Sequence, residues 1–180
     1  MRIAFNGSFW PMETTGSGQY LRQLVPALWQ LAPSEEYILF VPRYVSPRAP
    51  VVPPWLAVEV VPTPWDHMHP NLAKLWFEQV SYPRACRRHQ VDLLHVPYFA
   101  PPACASAPLV VTVHDLIPLI LPAYRGSALV RGYTRAMGGT AQRADLVLTD
   151  SLASARDITR LLAIPLERVL VVYLAADTNY

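Results

Sequence analysis

Short apolar runs alternate along this chain with segments in which apolar residues recur every three or four positions. The runs are typical of buried strands, and the segments predict amphipathic helices. The predicted strands are 2–6, 37–41, 57–61, 91–96, 109–113, 146–149 and 169–174. The predicted helices begin near Ser17, Leu72, Leu129 and Ser151. Strands that are apolar throughout and alternate with helices predict an α/β, doubly wound, mostly parallel Rossmann-like sheet over residues 1–180.

Proline interrupts two of the predicted helices. Pro26 has no amide hydrogen to donate to the Arg22 carbonyl, so we expect a kink there, and Pro83 disturbs the helix that begins near Leu72. Further prolines cluster in 42–64, which predicts a stiff surface segment. The second helix ends in a basic run, which is more typical of a solvated helix end than of a surface for anionic lipid. The run consists of Arg84, Arg87, Arg88 and His89.

Composition narrows the class of protein. The chain has 180 residues, 52% of them hydrophobic and 16% charged, with a net charge of +2. This predicts one globular domain and argues against disorder and against a dedicated nucleic-acid binder. Lys74 is the only lysine, so no phosphate-loop motif exists. Cys86 and Cys104 are isolated, which favours a reduced, cytoplasmic setting, and no signal peptide or membrane span is predicted.

Ligands of such sheets bind at the carboxyl ends of the strands, which directs attention to the loops after residues 6, 96, 113 and 149. Gly16, Ser17 and Gly18 end the first of these loops just before a helix. Their amides and the helix N-terminus suit a phosphate, although an ordinary glycine-containing turn is equally consistent. The dinucleotide fingerprint is not met, because its third glycine would fall at Leu21.

Polar residues also follow two later strands. His114 and Asp115 follow the strand 109–113, where a titratable group would meet a substrate. The alternative is that Asp115 caps a short helical turn and that His114 only satisfies the hydrogen bonding of Asp115. Ser151 and Ser154 begin a helix as caps, and Ser151 could in addition contact an anionic substrate.

Motifs for metal binding and for hydrolysis are weak or absent. Asp66, His67 and His69 resemble part of a metal site, but no third or fourth ligand is evident. We therefore expect no metal. The sequence contains no Asp-x-Asp and no Gly-x-Ser-x-Gly, the nucleophile motif of α/β-hydrolases.

Six segments occur in an order that resembles the N-terminal domain of GT-B glycosyltransferases of family 4, particularly its mannosyltransferase-like members. They cover nearly the whole chain. The segments are Thr15-Gly16-Ser17-Gly18-Gln19-Tyr20, His95-Val96-Pro97-Tyr98, Val111-Thr112-Val113-His114-Asp115-Leu116, Leu148-Thr149-Asp150-Ser151, Ile164-Pro165 and Ala175-Ala176-Asp177.

This resemblance implies a retaining, metal-independent hexosyltransferase. It would use no cofactor, and its co-substrate would be a nucleotide-diphosphate sugar whose sugar passes to a glycan, lipid or small-molecule acceptor. The catalytic residues would be His114 and Asp115. Amides of Gly16, Ser17 and Gly18 would bind the donor diphosphate. Residues of the acceptor site would be Tyr98, Ser151 and Ser154.

Family members carry a second, nucleotide-sugar-binding domain, which we expect to be absent from residues 1–180. The resemblance therefore implies that residues 1–180 are the N-terminal, acceptor-side half and are inactive alone. The enzyme would be cytoplasmic, with peripheral contact to the inner face of the membrane left open. The alternatives are a standalone Rossmann-like module that binds nucleotide or sugar without catalysis and, more distantly, a nucleotide-dependent oxidoreductase.

Overall fold

The structure is a computed structural model that describes residues 1–46, 48–124 and 126–175. The chain forms two compact units. The first unit comprises Met1–Pro97 and Pro102–Leu109, and the second comprises Tyr98–Pro101 and the chain from Val110 onward. Ala176 and Asp177, which end the last of the family-like segments, lie outside the described residues.

The first unit contains four parallel strands in the order β3-β2-β1-β4. They are β1 (Arg2–Asn6), β2 (Glu36–Pro42), β3 (Leu56–Val61) and β4 (Leu93–Val96). Strand β1 is central, because Ile3 lies opposite Tyr37 on one side and Leu93 on the other. A strand with neighbours on both sides and helices above and below has no solvent-facing side, which explains its continuous apolar run.

Helices α1 (Gly16–Leu31), α2 (Pro70–Trp76) and α3 (Tyr82–Arg88) belong to the same unit. Leu21 and Val25 of α1 are fully buried in a core shared with residues of β1 and β2. Helix α1 continues through Pro26, which lies inside it. The core residues include Ile3, Phe5, Trp10, Tyr37, Leu39, Val41 and Leu56.

A π-helical turn, Phe77–Ser81, joins α2 to α3. The sequence predicted one helix here, disturbed at Pro83. The structure instead places the irregularity before that residue, and Pro83 occupies the first turn of α3. Proline is tolerated there because the first amides of a helix have no intrahelical acceptor. π-helical turns are rare and often lie at functional sites.

The second unit contains the parallel strands β5 (Leu109–Thr112), β6 (Leu146–Thr149) and β7 (Val169–Val171), in that order. Strand β5 begins at the boundary between the units. The last strand was predicted to reach residue 174 but ends at Val171, and Tyr173 and Leu174 are exposed. The helices of the second unit are α4 (Ile117–Ile120), α5 (Ala128–Ala141) and α6 (Leu152–Leu162).

All seven strands run parallel to their partners within each unit, and helices alternate with them. This confirms the predicted α/β, doubly wound, Rossmann-like fold. Among residues 1–46, 48–124 and 126–175, no helix has both the length and the apolar character required to cross a bilayer.

Candidate functional site

Strand β1 ends at a buried asparagine. The Oδ1 atom of Asn6 accepts hydrogen bonds from the Ser8 amide at 3.1 Å and from the Ser8 hydroxyl at 2.7 Å. The Gly7 amide donates to the Phe40 carbonyl at 2.8 Å, which holds the start of the loop against β2. Within the part of the chain that the structure describes, the buried Nδ2 of Asn6 has no partner. A buried donor of this kind needs a water or a ligand.

The loop that follows leads into the predicted glycine segment. Thr15 is the N-cap of α1, and its Oγ1 accepts from the Gly18 amide at 3.2 Å. A Cβ atom at residue 18 would lie 2.0 Å from the Met12 carbonyl oxygen and 2.8 Å from that of Phe9. Glycine is therefore required at residue 18 because the loop packs directly on the helix start. A Cβ atom at Gly16 would meet nothing within 4 Å.

These two glycines differ in what they offer a ligand. The Gly18 amide is engaged by the N-cap, and the residue is buried. Gly16 is exposed at the first position of a 16-residue helix. Because first-turn amides point outward from a helix, Gly16 and Ser17 are the better placed of the three predicted residues to reach a phosphate.

A buried carboxylate lies in the π-helical turn of the same unit. Glu78 has no solvent exposure, and its carboxylate accepts from the Lys74 ammonium four residues earlier. Burial and the charge of Glu78 raise the pKa of Tyr44, while a hydrogen bond with Ser8 acts in the opposite direction. Tyr44, in the loop after β2, therefore lies near this carboxylate and forms a hydrogen bond with Ser8 in the loop after β1. Sequence analysis missed this group, because i, i+4 spacing indicates a pair but not its burial.

In the second unit, two side chains meet beyond the ends of β5 and β6. Thr112 lies opposite Leu148, so the next residues of each strand continue in register at the carboxyl edge. There the Nδ1 of His114 lies 2.7 Å from Oδ2 of Asp150. Both side chains are partly exposed, at 25% and 21%. A carboxylate on Nδ1 fixes the orientation of an imidazole and favours the tautomer that carries its proton on that atom.

Asp115 does not share this arrangement. Its Oδ1 accepts from the Ile117 amide at 2.9 Å, and the residue is exposed. It therefore forms the local turn at the start of α4, as one of the two interpretations from sequence proposed. His114 itself contacts Asp150.

The predicted acceptor residues lie near the start of α6 and in the segment 98–101. Ser151 is the N-cap of α6, and its Oγ accepts from the Ser154 amide at 3.1 Å and contacts the Ser154 hydroxyl at the same distance. Tyr98 is only 6% exposed. The Oγ1 of Thr149, at the end of β6, is buried and has no partner in the described part of the chain. The structure brings the two serines together, and their role toward a ligand stays a prediction.

The suspected metal-binding segment has a structural role. Both oxygens of the Asp66 carboxylate accept from Thr63, one from its amide at 3.0 Å and one from its hydroxyl at 2.7 Å. His67 and His69 are exposed. In residues 1–46, 48–124 and 126–175, histidine, cysteine and acidic side chains form no group of three or more that could hold a metal.

The chain is similar to a known protein family in sequence and to known proteins in fold. The family model "Glycosyltransferase Family 4" matches residues 14–180. No curated protein sequence matches the chain significantly. The fold is similar to that of sucrose-phosphate synthase from Thermosynechococcus elongatus, with a TM-score of 0.69 and 12% identity over 98% of this chain. It is also similar to HepE from Anabaena, solved in complex with UDP, with a TM-score of 0.54 and 20% identity over 99% of this chain.

The chain spans 49% and 45% of those two structures. At these identities, the similarity shows the fold alone. The family model, in contrast, covers more than nine-tenths of the chain and includes all of the predicted site residues. This chain therefore belongs to glycosyltransferase family 4.

Proposed function

We propose that this chain is the N-terminal, acceptor-side domain of a hexosyltransferase that moves a sugar from a nucleotide diphosphate to a glycan, lipid or small-molecule acceptor. Membership of family 4 supports the transferase class. The observation that carries the proposal is the contact between His114 and Asp150 at the carboxyl edge of β5 and β6. Substrates of parallel sheets bind at this edge, so an oriented imidazole there is placed to contact one.

The roles of the other residues follow from their positions. The amides at Gly16 and Ser17, in the first turn of α1, bind the donor diphosphate, to which a helix N-terminus offers partial positive charge. Tyr98, Ser151 and Ser154 contact the acceptor. His114 hydrogen-bonds the transferred sugar, and Asp150 positions it. Asp115 shapes the loop that carries His114, because its carboxylate is occupied by the turn.

A second domain completes the enzyme in this proposal. HepE was solved with UDP, and this chain matches 45% of its length. One domain provides one wall of a cleft, whereas holding two reactants in register requires two surfaces and can supply about 7–11 kcal/mol of a barrier. The reaction proceeds with retention, needs no catalytic metal and uses a mannose-type donor, by resemblance to the mannosyltransferase-like members.

A nucleotide-sugar screen tests the proposal. Residues 1–180 and the same chain joined to its second domain would be incubated with UDP- and GDP-sugars and a panel of acceptors, and product would be followed by mass spectrometry. We expect transfer only from the two-domain protein. We expect residues 1–180 to bind donors no more tightly than about 1 mM, or about −4 kcal/mol. Micromolar binding without turnover by residues 1–180 would instead support a standalone module, and turnover by residues 1–180 would support a complete small enzyme.

A further inference from the structure

The first unit contains a cavity of about 480 Å³ between the helical segment 79–87 and the segment 104–106. None of the residues predicted to bind donor or acceptor lines it. Gln79 accepts a hydrogen bond from the Ala103 amide at 2.9 Å, which anchors the second segment to the first. Val80 and Pro83 give the cavity apolar walls.

Two arginines face this cavity from α3. Arg84 and Arg87 both line it, and at i, i+3 spacing they lie on one side of the helix. No acidic residue is among the lining residues. Within the described residues, neither guanidinium forms an ion pair.

The rest of the basic run behaves differently. Arg88 and His89 both contact the carboxylate of Glu59 on β3. Their charge is balanced within the protein, whereas that of Arg84 and Arg87 is not. Arg84, Arg87 and Arg88 are exposed, as expected of a solvated helix end. Within this run, Arg88 and His89 belong to an ion-pair group, whereas Arg84 and Arg87 line the cavity.

We propose that this cavity binds a phosphate ester. Two guanidinium groups on one side of a helix match the charge of a phosphate and can donate to it in pairs, which a single ammonium cannot do. The Ser106 hydroxyl is a further lining donor. A volume of this size suits a small molecule, since ligand pockets measure about 300–1,000 Å³. The proposal does not depend on the transferase function.

The exposed thiol of Cys104 provides a direct measurement, because this residue lines the cavity. Burial raises the pKa of the Cys86 thiol to about 12, so that cysteine stays unreactive. N-ethylmaleimide is uncharged and is not drawn to the arginines. Its rate of reaction with Cys104, followed by mass spectrometry, therefore reports whether the cavity is occupied.

The experiment compares three forms of the protein with glycerol 3-phosphate as the probe. They are the wild type, the double variant Arg84→Gln/Arg87→Gln, and the control Arg88→Gln, which removes a charge from the same helix but outside the cavity. At ~10 mM probe and a Kd of ~1 mM, occupancy predicts a roughly tenfold slower reaction in the wild type and the control. The double variant should show less than about twofold slowing, and each single arginine variant an intermediate effect.

Vesicles distinguish a lipid headgroup from a soluble ester. Phosphatidylcholine vesicles with and without phosphatidylglycerol replace the probe in a second arm. Protection of Cys104 by glycerol 3-phosphate assigns a soluble phosphate ester, and protection only by the anionic vesicles assigns a lipid headgroup. The proposal fails if neither protects, if sodium chloride of equal ionic strength protects equally, or if the double variant is protected like the wild type.

Discussion

His114 and Asp150 lie 36 residues apart in sequence, yet Nδ1 of the imidazole and Oδ2 of the carboxylate are separated by 2.7 Å. Each residue follows a strand of the second unit, and the parallel pairing of β5 with β6 brings the two together. The carboxylate of Asp150 is partly exposed and orients the ring. Asp150 is thus a positioning residue for His114 in the proposed reaction.

We expect His114→Ala in the two-domain enzyme to lower kcat by about 10²–10³, the usual contribution of an oriented polar group. Asp150→Ala should lower kcat less, with little change in KM, because it loosens the ring without removing it. The double variant should be no slower than His114→Ala, since residues that act as a unit are not additive. The measurement is steady-state transfer kinetics.

The control for this pair is Asp157→Ala, which removes a carboxylate from α6 that pairs with Arg160 of the same helix. It should leave kcat unchanged. Equal losses in Asp150→Ala and Asp157→Ala, or full activity in His114→Ala, would contradict the assignment.

The sequence predicted the fold because the information was local. Apolar runs and helical periodicity give each element its type, and alternation of the two gives a parallel sheet. Pro83 shows the limit of this reasoning, since a proline inside a periodic segment indicated a disturbed helix but not the π-helical turn before it. That turn depends on tertiary packing around the fully buried Phe77 and Glu78.

The site was only partly predictable, because some of its features depend on tertiary packing. The rule that ligands bind at the carboxyl ends of strands selected His114 and the serines of α6. The role of Asp150 could have been found, because it follows β6 just as His114 follows β5. The burial of Glu78 could not, because exposure of a charged helical residue depends on what packs over it. Asp115 shows that adjacency in sequence to a site residue does not assign a role.

Gly18→Ala should destabilise the protein, and Gly16→Ala should not. A methyl group at residue 18 would lie 2.0 Å from the Met12 carbonyl, so the loop must move away from α1. Forced backbone shifts of this kind cost about 1–3 kcal/mol. At Gly16 the same methyl group meets no atom. Urea unfolding at constant pH measures both variants, and equal stability of the two would show that the loop is not packed as described.

Lys74→Met should lower the free energy of unfolding by about 1–3 kcal/mol, the range for a hydrogen bond to a charged group. The reason is that the carboxylate of Glu78 stays buried while it loses an ammonium partner. Adding Glu78→Gln should recover part of the loss, because the remaining group is neutral. A double-mutant cycle in urea measures the coupling, and strictly additive losses would argue against the buried pair.

His95 should make the protein less stable as the pH falls from 7 to 5. Burial lowers the pKa of this histidine from 6.5 to about 4. Between these values the unfolded chain binds a proton that the folded protein does not, so the free energy of unfolding decreases with decreasing pH. The expected loss from this residue is about 2 kcal/mol between pH 7 and pH 5. His95→Gln should remove that part of the pH dependence, even if it lowers stability at pH 7, because glutamine cannot be protonated.

The control is the exposed His67, changed to Gln in the same way, and this variant should keep the pH dependence of the wild type. Urea unfolding at both pH values gives one stability difference for each of the three proteins, and an unchanged pH slope in His95→Gln would show that His95 takes up its proton as readily in the folded protein as in the unfolded chain.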